Sequence, residues 1–452
     1  MRFVLRGRPS AITLEAGGLH HPSGARGGGT TYSAYADITH LSTSSRALWI
    51  GTRSSVYVIG RSQFVDPDGP ENLVRALLER IAAEPDGRRQ LARMAEIEET
   101  GRNPGGLRAT RGLAIFCAGV YALQWAVGDD VHLVGYFSGA LAADGDWWRL
   151  VTANLLHAFL VHLILNVVAL LAIGSLVERA LGSARTVCVM AVSALGSMVA
   201  SGLASPIPVV GVSGVVFGLL GALFWLEFRF ADALPAWWRV PRRALYWMLG
   251  FSALLSLLPF IAGAAHAGGF AGGFAAATGL AWNHLGSRRP SPSWVRAAAG
   301  ATLAVSVAAV GAAGFELMRP GDFGARYVAR LGRLPGVTPE ELNNAAWSIA
   351  VDPNSSRELL ESALLLAERA VEDSERSAPH ILDTLAEVHF QLGDREAALA
   401  AIEEAILQKP DDDYYQEQRR RFLGERDPED RPYFDPTPAP EDASPEAPRI
   451  SV

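Results

Sequence analysis

Seven stretches of this 452-residue chain, 112–127, 151–177, 186–204, 209–228, 244–265, 267–282 and 297–317, are apolar or small and nearly free of charge. A helix crossing the core of a bilayer needs about 20 such residues. The stretches reach or approach that length, the first and sixth being the weakest by length and glycine content. Charge collects before residue 111 and after residue 319. The chain is therefore read as a mainly α, polytopic membrane protein with a soluble region at each end.

The formal net charge of −7 is modest and comes mainly from the C-terminal third, which argues against a nucleic-acid partner. The two cysteines, Cys117 and Cys188, both lie in apolar runs and read as buried thiols rather than a disulfide or metal pair. The first residues, Met1 to Arg8, lack the apolar core of a signal peptide, so the first region is expected in the cytoplasm. Arginine placement agrees with this. Arg102, Arg108 and Arg111 precede the first stretch. Arg179 and Arg185 follow the second, Arg229, Arg239, Arg242 and Arg243 the fourth, and Arg288, Arg289 and Arg296 the sixth. The alternate loops carry little positive charge. The N-terminus is then inside and, with seven spans, the C-terminal region outside.

Residues 1–64 alternate in short strand-like runs, Arg2–Arg6, Ala11–Glu15, Thr31–Ala36, Ala47–Thr52 and Ser55–Gly60, separated by clusters such as Ser23–Gly29. An amphipathic helix with Leu73, Leu77, Leu78 and Ile81 follows. Strands closed by one helix resemble the small barrel of a PH-like domain; a small α+β domain without that relationship is the other reading. A more polar helix, 87–100, links it onward. In 339–410, Leu382, Leu385, Ala386, Gly393, Ala398, Ile402, Ala405 and Pro410 recur at offsets that let two antiparallel helices stack. An earlier copy offers Trp347, Ala363, Ala367 and Ala370. The pattern resembles a tetratricopeptide repeat, against a generic helical hairpin. Beyond 424 the chain is rich in Pro, Glu and Asp and reads as disordered. The expected organisation is 1–85 a cytoplasmic α+β domain, 86–110 a helical linker, 111–285 a membrane core, 293–318 a seventh transmembrane helix, 335–423 a helical repeat domain and 424–452 a tail.

Polar groups inside the apolar runs are few. Placing them at membrane depth is costly, which makes chemistry the first suspicion. Ser213 stands in Gly211-Val212-Ser213-Gly214, and His266 in Ala265-His266-Ala267-Gly268-Gly269. A hydroxyl and an imidazole are the minimum for covalent acyl transfer. By the topology above, both enter the bilayer from the outer side. The second stretch is read as a span opening at Trp147-Trp148-Arg149 and carrying His157, His162 and Asn166. His162 and Asn166 are four apart and share one helical face. They either bond another helix or donate to a developing oxyanion. Gly214, Gly218 and Gly221 form one smooth face, and Gly269 and Gly273 follow His266 at three and seven residues. Such faces let helices approach closely and would bring His266 toward Ser213. Phe217 shares the face of Ser213 and either packs on the imidazole or belongs to the core. No histidine is accompanied by cysteines or acids at ligand spacing, so no metal is expected.

His162-x-x-x-Asn166, Gly211-x-Ser213-Gly214 and Ala265-His266-x-x-Gly269-x-x-x-Gly273, in that order, resemble a rhomboid intramembrane serine protease. Trp148-Arg149 is similar to the family's first-loop motif, and Glu178-Arg179-x-x-Gly182 to the motif ending its second span. The resemblance covers about residues 111–285. It implies a six-helix bundle with a cavity open to the outer face, the last apolar stretch making it six plus one. It also implies a dyad in which Ser213 attacks a peptide carbonyl and His266 takes its proton, with Asn166, His162 and the Ser213 N–H as oxyanion donors. No cofactor is implied. His157 either borders the cavity or is structural. Phe217 stands where the family often has tyrosine, which keeps ring stacking and loses a hydroxyl.

The implied substrates are membrane proteins cut near the outer end of a transmembrane helix. A bacterial inner membrane is the expected setting, from the lack of an organelle-targeting leader and a basic set dominated by arginine, Lys409 being the one lysine. A protein or peptide partner is expected at the C-terminal repeats. The alternative is a rhomboid-like protein that binds transmembrane helices or acts as a scaffold without cutting.

Overall fold

The computed structural model describes residues 1–7, 9–23, 29–102, 105–204, 208–256, 262–281, 291–319, 323–427 and 431. Arg8, most of the Ser23–Gly29 cluster, Arg288, Arg289 and nearly all of the tail after 427 lie outside the described residues. The described chain divides into two units, Met1–Met318 and Arg319–Val452.

The first unit begins with two antiparallel sheets. Strands β1 (Arg2–Val4), β2 (Ala11–Leu14), β3 (Gly18–Pro22) and β4 (Thr30–Ala34) pair in chain order. Strands β5 (Ile38–Thr43), β6 (Ala47–Thr52) and β7 (Val56–Gly60) form a meander with Leu48 opposite Ile59 and Ile50 opposite Tyr57. Helix α1 (Gly69–Ala82) has Pro70 in its first turn, where the missing N–H costs nothing. It buries Leu73, Leu77 and Ile81 against Ile12, Leu19, Leu48, Ile50 and Ile59. Each such side chain contributes ~1.5–3 kcal/mol on leaving water. Helix α2 (Gly87–Arg102) adds Met94 to this core, and its Gln90 Nε2 donates to the carbonyls of Tyr35 and Ile38.

Strands β3 and β5 are not among the runs read from sequence. In β3 the adjacent His20 and His21 interrupt the apolar alternation. His21 is nevertheless buried, because its ring nitrogens bond Ser33 Oγ (2.8 Å) and the Pro22 carbonyl (3.0 Å). In β5, Ile38 to Leu41 are buried on both faces, so period-two alternation is lost.

Ten α-helices follow among the described residues of the unit. They are α3 (Arg108–Val127), the short α4 (Asp129–Gly135), α5 (Gly139–Ala143) and α6 (Arg149–Thr152), then α7 (Leu160–Leu181), α8 (Ser183–Ala204), α9 (Ser213–Arg229), α10 (Arg242–Leu255), α11 (Gly263–Ala281) and α12 (Ser293–Met318). Among the described residues α7, α8 and α12 are long and apolar enough to cross a membrane. The second apolar stretch, read as one span from Trp147, is not a single helix: α7 starts only at Leu160. The reason lies in Arg149. Its guanidinium is buried among the carbonyls of Leu133 and Tyr136 (2.8 and 2.9 Å) and the Asp146 carboxylate (2.8 Å), which holds α6 within the connecting segment.

Helix α9 is the centre of the bundle. It is buried from Gly214 to Val216 and from Gly218 to Glu227, as expected of a helix that is apolar all round. Helix α11 approaches both α9 and α8 without intervening side chains, whereas Ser193 and Ser197 of α8 stand between α8 and α9. A methyl group at Gly269 would lie 2.1 Å from the Gly214 carbonyl oxygen, and one at Gly273 2.0 Å from that of Gly218. On the other side of α11, a methyl group at Gly268 would lie 2.3 Å from the Gly196 carbonyl oxygen. Lipid tails are as apolar as leucine, so such contact rests on van der Waals packing, which close backbones maximise. Glu178, near the end of α7, accepts from the N–H groups of Ala109 and Thr110 (both 2.9 Å) and from Ser183 Oγ (2.6 Å). A carboxylate there satisfies donors that the first turn of α3 leaves open.

The second unit is helical: α13 (Phe323–Leu331), α14 (Pro339–Val351), α15 (Arg357–Asp373), α16 (Pro379–Leu392), α17 (Arg395–Gln408) and α18 (Asp413–Leu423). Caps set the boundaries. Thr338 and Glu341 form a capping box before α14, Ser356 and Asp394 cap α15 and α17, and Gly393 ends α16 in the left-handed region. Successive helices pack through alanines, Ala363, Ala367 and Ala370 in α15 and Ala398, Ala401 and Ala405 in α17. A buried polar network joins α16 to α18. Asp383 accepts from Tyr414 Oη (2.8 Å) and Gln418 Nε2 (3.0 Å), and Glu387 pairs with Arg421.

Candidate active site

The apolar stretch from residue 209 does not begin as helix. Gly211 has a φ of +120°, a region L side chains rarely adopt, and its N–H donates to the Ala153 carbonyl (2.8 Å). A side chain there would also meet the His162 ring, 2.9 Å from Cε1. The chain turns at this glycine, and α9 starts at Ser213. The hydroxyl thus stands at a helix N-terminus, where backbone N–H groups are unsatisfied and the dipole favours negative charge.

His266 lies in the first turn of α11. Its Nε2 is 3.0 Å from Ser213 Oγ. The glycine contacts between α9 and α11 produce this approach across 53 residues of sequence. The ring of Phe217, one turn after Ser213, stacks on the imidazole with centroids 4.2 Å apart and planes at 14°. Among the described residues no carboxylate bonds the His266 ring; its orientation rests on Ser213 Oγ, the stacked Phe217 and the helix backbone.

Helix α7 supplies the facing groups. Asn166 is buried, and its Nδ2 donates to the His162 carbonyl (3.0 Å), leaving a second N–H of the amide. It also lies near Gly211, 3.9 Å from where a methyl group there would stand. The half-buried His162 ring packs edge-on to His157 (5.2 Å between centroids) and against Phe159 (5.6 Å). His157 is buried. Its backbone is bracketed by Gln124, which donates to the His157 carbonyl and accepts from its N–H (both 3.1 Å). Its Nδ1 bonds the Leu155 carbonyl (3.2 Å), and its buried Nε2 has no hydrogen-bond partner among the described residues.

The structure therefore gathers Ser213, His266, Phe217, Gly211, His162 and Asn166 around one point, with His157 behind His162. Gly214 faces the backbone of Gly269, and Gly273 that of Gly218. Trp148 and Arg149 lie in the segment before α7. Trp148 Nε1 donates to the Val134 carbonyl (3.0 Å), and both residues staple that segment rather than contact Ser213. Among the described residues no three His, Cys, Asp or Glu side chains gather as metal ligands. Gln124, a single amide in an apolar stretch, does not stand out in the sequence. Neither do Ser193 and Ser197 of α8, whose side chains fill the space beside Gly218 and Gly214. The signal of all three is a polar residue in an apolar run, but their partners are distant in sequence.

Residues 144–283 match the family described as Rhomboid domain. Rhomboid protease GluP of Bacillus subtilis is 40% identical over 92 residues, 20% of this chain and 18% of that protein. Putative rhomboid protease YdcA of Bacillus subtilis is 39% identical over 100 residues, 22% of this chain and 49% of that protein. RHOMBOID-like protein 4 of Arabidopsis thaliana is 34% identical over 133 residues, 28% of this chain and 32% of that protein. The chain thus spans less than half the length of these curated relatives. The rhomboid match and the apolar helices make this an integral membrane protein.

Proposed function

From the rhomboid domain at residues 144–283 we propose that this protein is an intramembrane serine endopeptidase working by a Ser213–His266 dyad. The observation that carries the reading is the 3.0 Å hydrogen bond between Ser213 Oγ and His266 Nε2 beneath the Phe217 ring. In the first step Ser213 Oγ attacks the peptide carbonyl carbon and His266 Nε2 takes the hydroxyl proton. The carbonyl oxygen becomes an oxyanion and is met by the Ser213 N–H, the free N–H of Asn166 and the His162 ring. Removing one such donor typically costs ~3 kcal/mol of transition-state stabilisation. The C–N bond then breaks as His266 gives the proton to the leaving amine, which leaves the acyl group on Ser213 Oγ. Water, its proton taken by His266, attacks the acyl carbon, and the ester C–O bond breaks as that proton passes to Ser213 Oγ, releasing the carboxylic acid product.

The proposed arrangement is a bundle of α3, α7, α8, α9, α10 and α11 with α12 as a seventh span, the N-terminal sheets in the cytoplasm and the second unit outside a bacterial inner membrane. The two sheets closed by α1 are read as PH-like, and α14 to α17 as tetratricopeptide-like hairpins that recruit or position substrates. The substrates are transmembrane segments, because a helix that unwinds near the outer face exposes the carbonyl Ser213 needs.

The test is a gel assay in lipid vesicles with a glycine- and alanine-rich transmembrane substrate. Wild-type protein cleaves it and Ser213→Ala does not, while both keep the same melting temperature. A fluorophosphonate labels wild type at Ser213 and spares the variant. Equal behaviour of the two folded proteins in both assays would leave a helix-binding protein instead.

A further inference from the structure

The segment joining α9 to α10 is gripped by the N-terminal sheets. The Ala236 N–H donates to His40 Nδ1 of β5 (3.1 Å), and His40 Nε2 bonds Glu98 Oε2 of α2 (3.1 Å). An imidazole that accepts at Nδ1 and donates at Nε2 is neutral, so one ring joins three elements. Trp237 packs on that ring (5.2 Å between centroids) and over Gly101 of α2, where a methyl group would lie 2.2 Å from Trp237 Cζ2. Gly51 of β6 leaves room in the same way for Ala236 and Arg239.

Arg239 completes the grip. It is buried, pairs through Nε and Nη2 with both carboxylate oxygens of Glu227 at the end of α9 (2.9 and 2.6 Å), and donates through Nη1 to the Thr52 carbonyl (2.8 Å). Arg242 donates to the Arg53 carbonyl (2.9 Å) and Arg243 to that of Ser23 (2.8 Å). In the sequence these arginines read as an inner-face charge bias; each also holds a backbone carbonyl of the N-terminal region.

Helix α10 starts at Arg242, directly after this grip. Of its residues Arg242–Leu255 only Leu245 is buried, and Tyr246, Trp247, Phe251 and Leu254 are exposed. By contrast α9 is buried along almost its whole length. Tyr246 meets Phe224 and Phe228 of α9 ring to ring (6.1 and 6.0 Å between centroids) and Met248 and Leu249 lie against the core, so α10 is held by few buried side chains beside the grip on the segment before it. The geometry points to the N-terminal domain as a brake on α10, with His40, Trp237, Arg239 and Glu227 as positioning residues that restrict how far α10 swings from α9. This rests on the protease reading in one respect: the brake on the loosely buried α10 is taken to act on a transmembrane substrate that displaces this helix on its way to Ser213. A small reagent arriving from water does not.

The test uses the full chain in lipid nanodiscs with His40→Ala and, as a milder change, Trp237→Ala. Three quantities are read: amide exchange in α10, the rate at which a fluorophosphonate labels Ser213, and kcat/KM for a transmembrane substrate. The expected result is at least ten-fold faster exchange in α10 and at least three-fold higher kcat/KM, with labelling within two-fold of wild type. Unchanged exchange of α10 in both variants overturns the proposal. So does a change of cleavage and labelling in equal proportion, the signature of a merely destabilised protein. If wild type neither cleaves nor is labelled, the protease reading fails, and the exchange arm still decides whether the clamp exists.

Discussion

Phe217 and His266 lie ring on ring, 4.2 Å between centroids and 14° from parallel, with the Ser213 hydroxyl at the edge of the stack. Since no carboxylate orients His266 among the described residues, this stack is the main side-chain restraint on its rotamer. An aromatic pair contributes ~0.5–1.5 kcal/mol beyond area burial. We predict that Phe217→Ala lowers kcat by about ten-fold, as ~1.4 kcal/mol of lost positioning implies. Phe217→Tyr keeps the ring and stays near wild type. Steady-state cleavage of a transmembrane substrate measures this; full activity of the alanine variant would show that the stack does not position the imidazole.

The contact between α9 and α11 has no room for a methyl group. Gly269→Ala places one 2.1 Å from the Gly214 carbonyl oxygen, against backbone that side-chain rotation cannot relieve. We predict a destabilisation of about 1–3 kcal/mol, the usual cost of overpacking. The separation of His266 from Ser213 should slow fluorophosphonate labelling at least a hundred-fold. Gly279→Ala is the control, since nothing lies within 4 Å of its added methyl. Melting and labelling of the two variants should differ sharply, and equal behaviour would contradict the close-packed helix pair.

Docking of the N-terminal domain should weaken in acid. Burial holds the His40 pKa below its usual 6.5, against the opposing pull of Glu98; Arg239 lowers it further. Facing it are Glu98 from α2, itself paired with Arg102, and Arg239 from the α9–α10 segment, paired with Glu227. A base with a depressed pKa favours the neutral form when docked. The undocked state therefore binds more protons as pH falls below 6.5, and the stabilisation present above that pH is lost toward the depressed value. Protection factors of amides in α2 and α10, corrected for the intrinsic slowing of exchange in acid, should fall from about pH 7.5 to about pH 5.5 in wild type and less so in His40→Gln. A flat profile in wild type would show that His40 does not titrate in this range.

The second unit should show the opposite dependence. Burial raises the Asp383 pKa to about 7, although Tyr414 and Gln418 donate to it. A carboxyl raised above its unfolded value of 3.8 keeps a proton that the unfolded chain releases. The stability it contributes is complete below about pH 4 and is lost as pH rises toward and through about 7, by at most ~1.4 kcal/mol for each pH step between those values. Exchange protection of α16 in the full chain, compared between about pH 5 and about pH 8, reads this out. Asp383→Asn removes most of the difference; an unaltered difference in that variant would assign it to other groups.

Much of the site was legible because a polar residue in an apolar run is expensive and so conspicuous. Ser213, His266, His162 and Asn166 stand out in the sequence for that reason, and the structure brings them to one point. Glycines at intervals of three and four marked the face on which α11 meets α9. Less legible was the interruption before α7. A hydropathy pattern does not register that Arg149 binds carbonyls sixteen and thirteen residues away. Strands β3 and β5 are not legible, because buried histidines and two-sided burial erase alternation.

What the sequence determined by itself is local: which segments are apolar, where glycine permits close approach, and which reactive groups sit among them. These follow from transfer energies and steric size, properties of each residue and its near neighbours. What the tertiary structure alone decided is the pairing of distant groups. The 3.0 Å between Ser213 Oγ and His266 Nε2 depends on two helices meeting with no side chain between them. The hold of His40, Thr52 and Arg53 on the α9–α10 segment depends on backbone carbonyls and a ring nitrogen. Backbone groups are the same in every sequence, so their partners appear only when the chain has folded.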